Sequence, residues 1–289
     1  MTKVLHMCGG LPRAGSTVLM SILQQNPQIF TTGTDPLPEM IQTTLIEPRA
    51  AGPFVSMDIG DTDKAMHGFI TRGAMGWYDS LTDKPVIISK SRNWSNVYHM
   101  FPDSKYICMI RDLRDVIESF HRVNGKAMSL HTYSQDKVLL PSMTDNELLH
   151  YWLKSGNPIL SVLTYELPRV VEAYQKKSRE ILLIKYEDLM RDPFEVLNRV
   201  YQFLGEELFE HDLDNIQQPE LYEHDSVYWR ERTSHRISSS LLEKTKEPRT
   251  LGDVFHSKVI QENLPYYQMF YPEVLNGSNK EIQHTTGIL

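Results

Sequence analysis

The stretch HMCGGLPRAGSTVLMSIL, from His6 to Leu23, ties the chain to one kind of architecture. An apolar run, a turn bracketed by Gly10 and Gly15, and a second apolar run at helical spacing read as strand, tight loop and helix. The glycines have the G-x-x-x-x-G spacing of a phosphate-gripping loop, and Thr17 stands where its hydroxyl residue belongs, but Ser16 occupies the lysine position. The amides of Ala14 to Thr17 are expected to turn toward an anion at the amino end of the helix. Arg13, inside the loop, supplies positive charge from another direction, through a planar fork suited to oxyanions. Such a loop predicts a ligand with phosphate-like groups and no metal-bound triphosphate. The lysine that would reach the terminal phosphates is missing, and no apolar strand ends in an isolated aspartate to hold Mg²⁺.

The same strand-then-helix pattern repeats. Strands are expected at Val4 to Cys8, Val86 to Ser89, Lys105 to Ile110 and Ile181 to Ile184. Helices are expected at Thr17 to Gln25, Asn93 to Met100, Arg114 to Val123 and Phe194 to Leu204, with further helical patterns over Asp63 to Leu81 and Asn146 to Lys177. Gln28 to Glu39 reads as loop, and Asn124 to Ser142 and most of the chain after His211 are weakly patterned. The expectation is an α/β fold, a three-layer P-loop-like sandwich with a central parallel sheet flanked by helices. With no repeat or linker, the chain reads as one domain over residues 1–289, with a core at about 1–210 and a C-terminal part, 211–289, completing the site. In open parallel sheets ligands bind beyond the carboxyl ends of the strands. Three of those ends carry Arg13, Ser16 and Thr17, then Lys90, Ser91 and Arg92, then Arg111 with Ser119, so one cleft should gather them.

Composition removes several alternatives. A net charge of -7 gives no electrostatic reason to expect nucleic acid or another long polyanion. No apolar run approaches a membrane span, and the first residues lack a secretory layout, so a cytoplasmic protein is expected. Cys8 and Cys108 each lie inside a strand-like apolar run and read as buried thiols. The histidines show no metal-ligand spacing, so no metal is expected.

A second element, KYICMIRDLRDVIESFHR from Lys105 to Arg122, puts Arg111 at a strand's carboxyl edge and Ser119 about two turns into the next helix, where guanidinium and hydroxyl can hold a second anion. Read alone, Arg111 pairs equally well with Asp112 or Asp115 while Ser119 faces solvent. Together the two elements raise a family resemblance. LPRAGSTVLMSIL resembles the 5′-phosphosulfate loop of sulfotransferases, and Arg111 followed eight residues later by Ser119 resembles their 3′-phosphate motif. IKYEDLMRDPFEVLNRVYQFLGEE, from Ile184 to Glu207, is similar to the run near the end of the sheet in that family.

The resemblance implies the donor 3′-phosphoadenosine 5′-phosphosulfate (PAPS), the product PAP, and transfer to a hydroxyl without a metal. It implies that Arg13, Ala14, Gly15, Ser16 and Thr17 hold the 5′-phosphate, Arg111 and Ser119 the 3′-phosphate, and that Lys90 reaches the bridging oxygen or the sulfonate. It also suggests that Tyr186 touches the donor, against the plain alternative of a ring packed in the core. Trp94 either stacks on adenine or is a buried anchor. The cytosolic members place a histidine base two residues after the lysine. Here that residue is Arg92, which stays protonated near neutral pH and cannot take a proton. Protein-tyrosine sulfotransferases, whose loop PRSGTT is close to PRAGST, carry a glutamate just after a glycine in the loop following the first helix. That comparison points to Asp35 first and Glu39 second as the base, with capping of the helix near Pro36 an equal reading of Asp35. His99 and His121 are outside candidates. The rival readings are a P-loop nucleotide or nucleoside kinase and a PAPS- or PAP-binding protein without chemistry. The acceptor class stays open, and a homodimer is only a base-rate expectation.

Overall fold

The computed structural model describes residues 3–46, 59–91, 93–97, 100–101, 103–124, 171, 175, 179–217, 239–241 and 249–276. The chain divides into two compact units, 1–110 with 163–245 and 111–162 with 246–289. The first unit holds one sheet of five parallel strands: β1 (Val4–Gly10), β2 (Ile29–Thr31), β3 (Val86–Lys90), β4 (Tyr106–Ile110) and β5 (Ile181–Lys185), in the order β2-β3-β1-β4-β5. Every residue of β4 is buried, as are the first four of β3, which is why these strands read as continuous apolar runs rather than alternating ones. Its helices are α1 (Ser16–Leu23), α2 (Leu37–Ile46), α3 (Ile59–Leu81), α4 (Trp94–Val97), α6 (Tyr186–Arg191) and α7 (Pro193–Leu204). The second unit holds α5 (Leu113–Asn124), α8 (Asp253–Glu262) and α9 (Leu264–Phe270).

The expected sheet with flanking helices is the observed one, and strand order adds what the sequence did not carry. The chain leaves β1 toward β2 on one side of the sheet, whereas it leaves both neighbours of β1, β3 and β4, toward the other side. The carboxyl end of β1 therefore sits where the winding reverses, the place at which open α/β sheets form their crevice. Register sets the levels: Cys8 lies opposite Lys90, and Gly10 opposite Met109.

Two elements depart from the expectation. Gln28 to Glu39 is not all loop. Ile29–Thr31 pairs with Val86, Ile87 and Ile88, and three residues are too few for periodicity to register. The next residues lead into α2, whose Pro38 is tolerated because first-turn amides have no intrahelical acceptor. Tyr186–Arg191 is also helical. The following helix, expected over Phe194 to Leu204, runs over Pro193–Leu204: Asp192 accepts from the Glu195 amide, Pro193 opens the helix, and Gly205 ends it in the left-handed region. Residues 146–170, the span Asn124 to Ser142 beyond its first residue, and much of the tail after His211 fall outside the described residues. No helix among the described residues is long and apolar enough to cross a membrane.

Cys8 and Cys108 are free and buried, as expected, and burial pushes the Cys8 thiol up to about 12. His6 on β1 and His211 after α7 are buried too. The backbone amide of Lys105 donates to His6 Nδ1 at 3.3 Å. His211 Nε2 lies 3.0 Å from the Tyr201 hydroxyl, which in turn accepts from Asn26 at the end of α1. Burial, with Lys105 nearby in the first case, pulls His6 down to about 4, and burial does the same for His211. The unfolded chain binds protons at these sites below about 6.5 while the folded chain refuses them until about 4, so stability is lost as pH falls through that window. The His6 imidazole should contribute roughly 3 kcal/mol to that loss, and the less enclosed His211 a smaller share. Equilibrium urea unfolding between pH 7 and pH 4.5 should show it, and His211→Gln should reduce the slope; an unchanged slope would remove His211 from the account.

Candidate active site

The turn after β1 is built around close approach of two backbones. Gly10 has φ 103°, and the following Leu11 amide donates to the Met109 carbonyl of β4 at 2.8 Å. A Cβ on Gly10 would stand 2.2 Å from that same oxygen, so no other residue fits. Gly15, at φ 88°, caps α1, and a Cβ there would meet the ring of Tyr186 at 2.6 Å. Between them Arg13 adopts φ 58°, the only left-handed non-glycine among the described residues. Such conformations cost on the order of 1 kcal/mol or more and concentrate where a loop must present its amides to a ligand.

The cation absent from position 16 arrives from the next strand. Lys90 ends β3, and its Nζ donates to the Thr17 hydroxyl at 2.9 Å and to the Gly33 carbonyl at 2.7 Å. Its backbone amide donates to the Thr32 hydroxyl at 2.7 Å. Loop hydroxyl, strand-end lysine and the turn after β2 are thereby joined in one cluster within the first unit.

The two carboxylates of that turn sit in different surroundings. Asp35 is 1 % exposed; it receives the Leu37 amide at 3.0 Å and the hydroxyls of Tyr78 and Ser89 at 2.5 Å each. The Leu37 amide bond is that of a cap at the start of α2, and the two hydroxyl bonds tie the same carboxylate to α3 and β3. Glu39, in the first turn of α2, is exposed, and its Oε1 accepts from the Asn93 side chain at 2.7 Å. Trp94 is fully buried, its indole N–H donating to Ser89 at 2.7 Å, which is the anchor role. The Tyr186 ring lies against Gly15 of the loop. Arg92 and His99 fall outside the described residues, as does the side chain of His121.

In the second unit, Arg111 is the first residue beyond β4, and its carbonyl accepts from the Tyr266 hydroxyl at 2.8 Å. Ser119 is buried on α5. Asp112 takes Arg114 at 2.6 Å, Arg249 at 3.1 Å and the Tyr267 hydroxyl at 2.9 Å, while Asp115 takes Arg249 at 2.7 Å. Burial pushes the Asp112 carboxyl up, but its hydrogen bond and charge pairing with Arg114, helped by Arg249, outweigh that and hold it below its usual range. Glu118 accepts from the amides of Thr250 and Leu251, at 2.9 and 2.7 Å, from the Thr250 hydroxyl at 2.9 Å and from His256 at 3.2 Å. Sequence reasoning missed Arg249 and Thr250. Their partners lie more than 130 residues earlier, and no local pattern marks them.

Residues 7–211 match the sequence model of the sulfotransferase family. No curated protein matches the chain. Among solved structures, the sulfotransferase domain from the Synechococcus PCC 7002 olefin synthase is similar over 91 % of this chain and 95 % of its own, at 16 % identity and a TM-score of 0.50. The sulfotransferase domain from the curacin biosynthetic pathway covers 91 % of this chain and 97 % of its own at 16 % identity and a TM-score of 0.47. A sulfotransferase from Alicyclobacillus acidocaldarius covers 76 % and 88 % at 15 % identity and a TM-score of 0.46. The structural likeness speaks to the fold. The family match takes in the glycine loop, Lys90, the turn carrying Asp35 and Glu39, and the span from Arg111 to Ser119, and on that match the chain belongs to the sulfotransferase family.

Proposed function

We propose that the protein moves a sulfuryl group from PAPS to an acceptor hydroxyl by in-line, metal-independent transfer. The observation that carries this reading is the 2.9 Å hydrogen bond from Lys90 Nζ to Thr17 Oγ1. In nucleotide triphosphatases the loop hydroxyl at that position holds Mg²⁺. Here an ammonium stands against it, so the positive charge that a divalent ion would bring is supplied by a side chain.

Each group then has a task. Arg13, the amides of Ala14 to Thr17 and the hydroxyls of Ser16 and Thr17 grip the 5′-phosphate, with the Tyr186 ring bordering the loop at Gly15. Arg111 and Ser119 take the 3′-phosphate. The acceptor oxygen attacks sulfur as the bond from sulfur to the bridging oxygen breaks, and the electron pair leaves on the phosphate of PAP. Lys90 stabilises the charge that gathers on the bridging oxygen. We place the base at Glu39 rather than Asp35, because a base must reach the acceptor proton and Asp35 is enclosed by its own donors. Asn93 presents the Glu39 carboxylate by holding one of its oxygens.

Incubation with PAPS and a panel of phenols, alcohols, sugars and tyrosine peptides, with and without EDTA, tests the reading. PAP release that follows the acceptor and ignores the chelator is expected. Turnover of ATP only with Mg²⁺ would place the protein with the kinases, and PAP binding without release would make it a binding module. Arg111→Ala should weaken PAP binding by about 2 to 4 kcal/mol in calorimetry, the loss of one charge-assisted grip on a phosphate. Gly15→Ala should abolish PAP binding, since the new Cβ meets the Tyr186 ring at 2.6 Å in a left-handed backbone. Normal PAP affinity in either variant would remove that residue from the donor site.

A further inference from the structure

Behind Lys90 runs a buried line of side chains that the transfer chemistry does not touch. Trp94 on α4 donates its indole N–H to Ser89 Oγ at 2.7 Å. That bond occupies the Ser89 oxygen and leaves its single proton for Asp35 Oδ2, 2.5 Å away. Tyr78 on α3 donates to the same carboxylate oxygen at 2.5 Å, and the Leu37 amide donates to the other oxygen at 3.0 Å. Asp35, Tyr78, Ser89 and Trp94 are all buried, and every donor in the line points toward Asp35.

The backbone of Asp35 is bound to Lys90 in turn. Its amide donates to the Lys90 carbonyl at 2.9 Å, the Lys90 amide donates to Thr32 Oγ1 at 2.7 Å, and the Lys90 ammonium donates to the Gly33 carbonyl at 2.7 Å. Residues 32–35 and Lys90 thus clasp each other from both sides, and the carboxylate of Asp35 is the nail that fixes the turn to α3, β3 and α4. A strand-end lysine has four rotatable carbons, so its aim depends on the carbonyl that receives it and on the backbone from which it starts. An in-line transfer is sensitive to that aim, because an error of about 1 Å in a charge-stabilising group costs on the order of 100-fold in rate.

Resting on the sulfuryl-transfer reading, we propose that Asp35, Tyr78, Ser89 and Trp94 are positioning residues that fix the Gly33 carbonyl and the Lys90 backbone, so that the Lys90 ammonium meets the departing oxygen. In this role Asp35 takes no proton from the acceptor; it keeps its three hydrogen bonds throughout the reaction.

The test is a double-mutant cycle on PAPS turnover with PAP affinity measured alongside. Tyr78→Phe and Ser89→Ala each remove one donor and should lower kcat about ten-fold, and Asp35→Asn about 100-fold, with PAP affinity within about two-fold of wild type. The acid limb of the kcat/KM profile against pH should survive in all three. In a Lys90→Ala background each of these changes should cost less than about two-fold more, because the group they aim is gone. Full multiplication of the losses in that background, disappearance of the acid limb in Asp35→Asn, or wild-type turnover in both Tyr78→Phe and Ser89→Ala would each overturn the inference. If Asp35→Asn does not fold, the two milder variants decide the question on the same cycle. Wild-type turnover in Lys90→Ala alone, or no PAPS turnover by the unaltered protein, would overturn the functional reading beneath it, and those outcomes are read without any of the positioning variants.

Discussion

The meeting of two main chains at Gly10 is the constraint on which the first unit depends. β1 and β4 come together so closely that the Leu11 amide bonds to the Met109 carbonyl and no side-chain carbon fits at Gly10. That contact fixes where the chain must turn. The turn throws Arg13 and Gly15 into left-handed backbone and starts α1 at Ser16. Because Cys8 of β1 is level with Lys90 of β3, the same register brings the ammonium to the first turn of α1. The ammonium thus reaches the loop from a neighbouring strand, where a β-strand rather than a flexible turn sets its starting point.

The second unit solves a different problem. α5 and the residue before it bury Asp112, Asp115, Glu118 and Ser119, a costly set of groups to remove from water. The cost is offset by partners from far along the chain: Arg249 joins both aspartates, and the amides of Thr250 and Leu251 with His256 satisfy Glu118. Burial alone would raise the Glu118 carboxyl, yet the donors outweigh it and the group is held below its usual range. A helix with this much buried charge is stable only when that partner segment is in place, since breaking a buried pair leaves the remaining charge uncompensated. The helix that carries Ser119 is therefore tied to residues 249–256 by hydrogen bonds and ion pairs that have no trace in the local sequence.

What the sequence disclosed and what it hid divide along this line. The glycine loop, the strands β1, β3, β4 and β5, and α7 were legible, because each is decided by residues within one or two turns of one another. So was the pairing of loop and Lys90 at strand ends, which follows from the rule that parallel sheets gather their ligands there. β2 was missed because three residues carry no period, and its pairing with β3 is a tertiary choice. Asp35 shows the limit most clearly. In sequence a cap and a base look the same, and the hydroxyls of Tyr78 and Ser89 that enclose the carboxylate come from 43 and 54 residues away, a difference in surroundings with no local mark.

That difference bears on how a lysine and a buried carboxylate coexist in one small cluster. Had Asp35 pointed at Lys90, the two would form an ion pair, and much of the ammonium's field would be spent inside the protein before any ligand arrived. Instead the carboxylate receives two hydroxyls and an amide, while the ammonium is aimed by neutral oxygens, Thr17 Oγ1 and the Gly33 carbonyl. Hydroxyl donors satisfy an anion without adding a cation, and carbonyl acceptors orient a cation without adding an anion. These bonds hold both side chains in fixed directions. Burial first, and then the charge and hydrogen bond of Asp35, raise the Tyr78 hydroxyl above its ordinary range, so the phenol keeps the proton it donates near neutral pH.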